Sequence, residues 1–333
     1  MPLLNNELVS IGVASYNNKK YIIETLESIA QQEYSNIEII IADDGSTDDS
    51  VSIINEWIGR KNNAFQVIFL PFKLNRGITK TLNSILNNVS VDSKYLIIIG
   101  SDDVMKSDRI VKQVELFRFA EPSAACVLSD MEMINEKSEI FVDSYFEYIG
   151  VTKKSIEEIL SLSIERQIET CIRGNFFPAP SMIYKTDVIK KLGGWDEDLY
   201  FEDWDMNLRL ISHGYKFVLT DEKLVQYRRS QNSVMSNPNN LYVESVLNLC
   251  YKYISINEQI DSAINEKIIV NALNLYQSGN KNSFKWLARK LKLNFTYSTC
   301  YYTIMSFLRI PYSVSNRFLD LIKRKTYNKS ETK

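Results

Sequence analysis

The chain has 333 residues, with 39 Lys/Arg, 41 Asp/Glu and one histidine. The formal charge of −2 is a sum of two opposed parts: residues 281–333 hold 12 basic against 2 acidic side chains, and residues 1–280 hold 27 against 39. The lone histidine, His213, excludes a His-rich metal site and has no nucleophile motif beside it, so carboxylates are the expected acids and bases, and a hard, oxygen-held ion the expected metal.

The first seven residues lack the basic start and apolar core of a signal peptide. An apolar run at 8–14 predicts a buried strand. Residues 20–31 carry Ile22, Ile23, Leu26, Ile29 and Ala30 at helical spacing. A strand at 37–42 is followed by a helix at 51–58, opened by Ser46, Thr47 and Asp48 as capping residues. The pattern repeats with a strand at 65–70, a helix at 78–86, a strand at 95–99, a helix at 110–119 and a strand at 124–128. Strands apolar on both faces, alternating with amphipathic helices, predict a mostly parallel sheet flanked by helices.

Residues 130–177 are more polar and read as a mixed or loop-rich insertion. A strand at 181–184, a short helix at 187–192 closed by Gly193 and Gly194, a helix at 201–212 and two strands at 216–219 and 224–227 follow. A polar loop at 232–240 marks the predicted domain boundary, and four or five helical segments lie beyond it. The four cysteines stand 45, 79 and 50 residues apart, without a CxxC pair, and read as buried thiols in a reducing compartment.

In such sheets ligands bind beyond the carboxyl ends of the strands. The first strand ends at Ala14 and Ser15 and is followed by Tyr16, Asn17 and Asn18, with no glycine, so GxGxxG and the phosphate loop are both absent. Tyr16 can stack on a base and Asn17 can hydrogen-bond; an ordinary polar loop is the plainer reading of this segment. The second strand ends in Asp43 and Asp44, and the fourth in Gly100, Ser101, Asp102 and Asp103. Turn and cap chemistry explains Thr47 and Asp48 but not two acid pairs on one edge. Two such pairs repel unless a cation or a hydrogen-bond donor sits between them. A third acidic group, Asp196 to Asp198 and then Glu202, Asp203 and Asp205, is interleaved with Trp195 and Trp204. Its plain reading is a helix N-terminus favouring negative charge. Its functional reading is a general base beside two flat rings for a sugar.

Together these segments resemble the family 2 nucleotide-sugar glycosyltransferases of the GT-A fold, the type that builds bacterial cell-surface polysaccharides, over about residues 8–233. Six blocks carry the resemblance in order: 9–17, 28–32, 38–48, 75–77, 100–103 and 193–203. The resemblance implies an α/β GT-A catalytic domain over residues 1–235 and a basic helical C-terminal region over 236–333. It implies that Asp44 holds a pyrimidine and Tyr16 stacks near it, with Ala14, Ser15, Asn17, Asn75, Gly77, Lys80 and Ser101 completing the nucleotide site. Asp102 would contact the ribose or metal, and Asp103 would ligate the metal, Mn²⁺ or Mg²⁺. Asp203 would be the base, assisted by Glu202, with Trp195, Asp196 and Trp204 on the acceptor side. Three positions depart from the family pattern: Ala14 and Ser15 replace Pro-Thr, Gly100 replaces the first acid of DxDD, and Leu82 replaces an arginine for which Lys80 is the nearest substitute.

The implied activity is inverting transfer from a UDP- or dTDP-sugar to a hydroxyl of a glycan or lipid-linked oligosaccharide, as in capsule or O-antigen assembly. A sugar nucleotidyltransferase, a non-catalytic nucleotide-sugar binding module and a glycoside hydrolase are the competing readings. The hydrolase leaves the strand-end acids unexplained, and no glycine-rich basic loop follows the first strand. The acidic body argues against nucleic acid as a partner. In the tail, residues 284–293 form a basic amphipathic pattern, and 293–308 are 16 uncharged residues, short for a membrane span. Two readings of the tail stay open: a helix at an anionic membrane surface, placing a cytoplasmic enzyme at the inner face of the cell membrane, or a helical cap packed on the catalytic domain.

Overall fold

A computed structural model describes residues 7–61, 65–229, 240–254, 258–293 and 297–317. The chain divides into two compact units, Met1–Ser233 and Val234–Lys333. The predicted boundary loop at 232–240 lies almost wholly outside the described residues, as do the first six residues and the last sixteen.

The first unit begins with the alternation expected: β1 (Leu8–Ser15), α1 (Ile22–Ala30), β2 (Ile37–Asp43), α2 (Ser50–Arg60), β3 (Gln66–Pro71), α3 (Ile78–Asn88) and β4 (Ser93–Gly100). These strands pair in parallel in the order β3-β2-β1-β4. Every residue of β2 is buried, because both faces of the strand are covered. One face packs Val9, Ile11, Val13, Ile39, Ile41, Ile97 and Ile99 against Ile22, Leu26 and Ile29 of α1 and Ile54 and Trp57 of α2. On the other face, Ile85 of α3 lies against Gly12. Burying each such aliphatic side chain stabilises the fold by about 1.5–3 kcal/mol.

The second half of the sheet is mixed. After β5 (Val104–Met105) and α4 (Arg109–Phe119) come β6 (Ala124–Ile134) and β7 (Ile140–Val142). The helices α5 (Tyr145–Tyr148), α6 (Lys153–Leu160) and α7 (Ile164–Arg173) follow, then β8 (Met182–Lys185), α8 (Thr186–Lys191), α9 (Asp203–Ser212) and β9 (Lys216–Arg228). The sheet continues from β4 through β8, β6 and β9 to β5, with β8 antiparallel to both neighbours and β6 parallel to β9.

Three sequence expectations change here. The fifth strand does not stop at Leu128 but runs on to Ile134. Its buried Asp130 accepts hydrogen bonds from Ser144 Oγ (2.6 Å), Met131 N and Phe146 N, and its Glu132 is paired with Lys106 at 2.8 Å, so polar residues that broke the apolar pattern are satisfied inside the sheet. The insertion at 130–177, expected to be mixed or loop-rich, is mixed and more regular than a loop: it holds the end of β6, β7 and the three helices α5, α6 and α7. The two short strands after His213 are one long strand, β9, whose exposed Asp221 and Glu222 cross a register shift against β6. A smaller difference concerns the α2 start, where Asp49 is the N-cap and makes no side-chain cap hydrogen bond, while Asp48 just before it accepts from Ser50 N at 3.0 Å.

The second unit holds α10 (Asn240–Lys252), α11 (Glu258–Gln277), α12 (Ser283–Leu293) and α13 (Tyr297–Phe307). Trp286 and Leu287 of α12 are buried, whereas Phe284 at its start is exposed. No helix among the described residues is long and apolar enough to cross a membrane.

Candidate active site

The parallel register brings three strand ends side by side: Ser15 pairs with Asp43, and Ala14 with Gly100. Ser101 N donates back to Ala14 O at 3.0 Å, and Asn18 Nδ2 donates to Ser101 Oγ at 2.7 Å. The loop after β1 is thus tied to both acidic turns. Tyr16 stands exposed at its tip. Asn17 adopts a left-handed backbone (φ 51°) and its Oδ1 accepts from Thr47 N at 2.7 Å.

The two acids at the end of β2 do different work. Asp43 is fully buried and accepts from Ser15 Oγ (2.9 Å), Ser46 N (2.8 Å) and Ser46 Oγ (2.7 Å), so it builds the turn. Asp44 accepts from Arg76 N and Gly77 N, each at 2.9 Å, and so fixes the loop that holds Asn75. A carboxylate has about four acceptor sites, which leaves Asp44 capacity for a further donor. Gly45 makes this join: it has φ +77°, and a Cβ on it would lie 2.5 Å from the Leu74 carbonyl carbon. Lys80 is exposed on α3, whereas Leu82, at the position of the family arginine, points into the core.

At the end of β4, Asp102 and Asp103 converge. A Cβ built on Gly100 would lie 2.8 Å from Asp102 Oδ1 and 3.3 Å from Asp103 Oδ2. A side chain on the residue that replaces the first acid of the fuller motif would therefore require the Asp102 carboxylate to shift. Arg228, at the end of β9, holds this turn: its N–H donates to Asp103 Oδ1 at 2.9 Å and its Nε to Asp102 O at 2.8 Å. Its guanidinium is fully buried and also reaches Asn135 O, Ser138 Oγ and Glu24. Burial pushes the Asp103 carboxyl well up, and the Asp102 charge adds to this; burial also raises Asp102. Arg109, fully buried nearby, has an Nη1 without a hydrogen-bond partner. Among the described residues no cluster of three or more His, Cys, Asp or Glu side chains forms. Two convergent carboxylates do fit the sparse ligation of Mg²⁺ or Mn²⁺, where phosphate oxygens and waters complete the shell.

The third acidic group opens α9. Asp203 Oδ1 accepts from Trp204 N (2.7 Å), and Oδ2 from Asn175 Nδ2 (2.7 Å). Asn175 is held in turn by Asn207 Nδ2 at 3.2 Å. Burial raises Asp203, against the pull of these donors; burial and then the Asp203 charge raise Glu202. A carboxyl held near neutral pH is suited to proton transfer. Arg209 anchors the helix by donating to Asp205 Oδ2, Leu192 O and Gly194 O at 2.7–2.8 Å. Two half-buried tyrosines feel these charges. Tyr227 is raised by burial and by the charges of Asp103 and Asp102, and Tyr145 by burial and by Asp203.

The tryptophans are placed differently from the expected sugar platform. Trp195 and Trp204 are both buried, with Trp204 Nε1 donating to Cys171 O at 2.7 Å. Trp195 is clamped by Asn83, which accepts from its N–H at 2.8 Å and donates to its carbonyl at 2.9 Å. Neither ring is open at the surface. Asp196 accepts from Asp198 N at 3.1 Å. Sequence reasoning missed Asn175, Tyr145, Tyr227 and Arg228. Inspecting the carboxyl end of β9 would have found the last two; nothing local marks Asn175 or Tyr145.

Acidic turns on the ends of β2 and β4, which flank β1, and a carboxylate pair opening the last helix before the final strand fit the class of GT-A glycosyltransferases. The chain matches the description "Glycosyl transferase family 2" over residues 10–193, and it belongs to that family. It is 30% identical over 213 residues to the poly-beta-1,6-N-acetyl-D-glucosamine synthase of Staphylococcus epidermidis, covering 63% of this chain and 47% of that protein. The chain thus spans about half the length of that relative. It is 28% identical over 237 residues to glycosyltransferase GlyG of Streptococcus pneumoniae, covering 69% of this chain and 73% of the relative. The fold is shared with S. aureus TarS 1-349 in complex with UDP-GlcNAc (TM-score 0.55, 17% identity, 90% of this chain and 79% of that one). It is also shared with mannosyltransferase PcManGT from Pyrobaculum calidifontis in complex with GDP-Man and Mn2+ (TM-score 0.53, 16% identity, 92% and 86%).

Proposed function

We propose that residues 1–235 transfer a sugar, with inversion, from a UDP- or dTDP-sugar to a hydroxyl of a glycan or lipid-linked oligosaccharide, in cell-surface polysaccharide assembly such as capsule or O-antigen. The observation that carries this reading is the pair of convergent carboxylates on the β4 turn together with a second, raised carboxyl pair at the start of α9. The first pair suits a diphosphate-bound cation and the second a hydroxyl proton. The synthase and GlyG relatives, and the UDP-GlcNAc and GDP-Man complexes of proteins with this fold, support a nucleotide-sugar donor.

In this reading Asp44 accepts the N3–H of the pyrimidine and Tyr16 covers the base. Ala14, Ser15, Asn17, Asn75, Gly77, Lys80 and Ser101 complete the donor site. Asp102 and Asp103 would hold Mg²⁺ or Mn²⁺, and when bound the ion supplies Lewis-acid neutralisation of the diphosphate leaving group. Asp203 takes the acceptor proton as the new C1–O bond forms; the bond from C1 to the β-phosphate oxygen breaks, and its electron pair leaves with the diphosphate. One base on the face opposite the leaving group gives a single displacement and inversion. Asn175 keeps Asp203 ionised, and Glu202 shares its proton load. The basic region over 236–333 keeps the enzyme peripheral to the inner face of the cell membrane, where lipid-linked acceptors reside.

The test is a panel of nucleotide sugars with purified protein, metal and candidate acceptors, scored by nucleotide release. Acceptor-dependent release of UDP or dTDP supports transfer. Sugar 1-phosphate released on adding pyrophosphate identifies a nucleotidyltransferase, and free sugar without nucleotide a hydrolase; either overturns the proposal.

A further inference from the structure

In the second unit, α13 is turned inside out. Its inward residues carry hydroxyls: Thr299, Tyr302, Thr303 and Ser306 are all buried. They are satisfied locally, with Thr303 Oγ1 donating to Thr299 O (2.7 Å), Tyr302 Oη to Asn316 Oδ1 (2.8 Å), and Ser306 Oγ meeting Ser283 Oγ (2.7 Å). Its outward residues toward the C-terminal end are apolar: Ile304 and Phe307, with Leu308 just past the helix, are 49%, 64% and 56% exposed. They are spaced i, i+3 and i+4, so they form one stripe. Phe284 of α12 joins it, 37% exposed, with its ring 5.1 Å from that of Phe307.

A water-facing helix normally shows the reverse arrangement, and a contiguous exposed apolar patch marks a contact surface. The charge around it names the partner. From Lys281 to Arg317 the chain has seven basic residues and no acidic one. Lys281, Lys285 and Arg309, at the ends of the two helices that carry the stripe, are exposed. An apolar stripe rimmed by cations suits an anionic bilayer, in which the rings enter the acyl boundary and the cations stay among the headgroups.

We propose that Phe284, Ile304, Phe307 and Leu308 form a membrane-docking face for anionic lipid, with Lys281, Lys285 and Arg309 as its charged rim. Of residues 284–293, Trp286 and Leu287 face inward, so that segment contributes Phe284 and Lys285, and α13 with Leu308 supplies the rest of the docking face. This inference names the surface for the peripheral placement proposed above. It is read without donor or acceptor, so its failure leaves the transfer chemistry standing.

The experiment is co-sedimentation of the full chain with phosphatidylglycerol-containing and with purely phosphatidylcholine vesicles. The wild type should pellet with the anionic vesicles only, and less as salt rises. Ile304→Ser with Phe307→Ser should lower the affinity roughly tenfold or more, with an unchanged melting temperature. Lys281→Glu with Lys285→Glu should do the same while leaving the apolar stripe intact. Equal pelleting on neutral vesicles, unchanged binding by both double variants, or a dimer in light scattering that the serine variant dissolves in place of vesicle binding would each overturn the proposal.

Discussion

The two carboxylate pairs of the catalytic unit are built in opposite ways. Asp102 and Asp103 are placed by backbone: they follow β4 directly, and their turn is fastened by the Arg228 N–H and the Ala14 carbonyl. Glu202 and Asp203 are placed by side chains from far along the chain, with Asn175 donating to Asp203 and Tyr145 standing near it. The first arrangement tolerates little change of shape. In the second, the Asn175 donor draws Asp203, raised by burial, toward its ionised form, and burial and the Asp203 charge in turn raise Tyr145. A turn meant to hold a fixed ion benefits from backbone rigidity, whereas a base needs its protonation set near the working pH.

That contrast ranks the expected effects of substitutions. Asp203→Asn should cost the most, roughly 10²- to 10⁴-fold in turnover, the usual contribution of a general base. Near-wild-type nucleotide release by this variant would remove Asp203 from the mechanism. Gly100→Asp restores the acid of the fuller motif but inserts a Cβ 2.8 Å from Asp102 Oδ1. It should weaken metal activation roughly 10- to 100-fold, measured as the Mn²⁺ or Mg²⁺ concentration for half-maximal turnover; tighter activation would show that the turn has room for a third ligand.

Asn175→Ala is expected to act through pH. The Asn175 bond favours the ionised form of Asp203, so removing it raises a carboxyl already pushed up to about 6 by burial. Activity requires the carboxylate and is lost as pH falls through that value. The acid limb of the kcat profile should therefore move to higher pH, by about one unit for a charged hydrogen bond of this type. An unmoved limb with a uniformly lower rate would mean that Asn175 is merely structural. Smallest of all, Trp204→Phe removes the bond from Nε1 to Cys171 O and should lower stability by about 1 kcal/mol, with acceptor KM unchanged in steady-state kinetics. A raised KM would return the ring to the acceptor site.

The same contrast explains what the sequence revealed. The alternation through β4 was legible because each strand is apolar on both faces and each helix shows a 3.6-residue stripe. The acidic turns were legible because they adjoin those strands. Beyond β6 the signals weaken: Asp130 and Glu132 are buried but polar, so local pattern mistook a sheet interior for an insertion, and β9 was split by its exposed Asp221 and Glu222. Asn175 was invisible because its role rests on a contact 28 residues away. The tryptophans misled in the other direction: next to acids they suggest a sugar platform, yet Asn83 and Cys171 O hold them in the interior.

The division of labour between the two acid pairs is tested most directly by titrating donor nucleotide sugar, with and without Mn²⁺, into Asp203→Asn and Asp103→Asn side by side. The account predicts that Asp203→Asn retains metal-dependent donor binding close to the wild type, while Asp103→Asn loses the metal dependence. Loss of metal-dependent binding in Asp203→Asn, or its retention in Asp103→Asn, would contradict it.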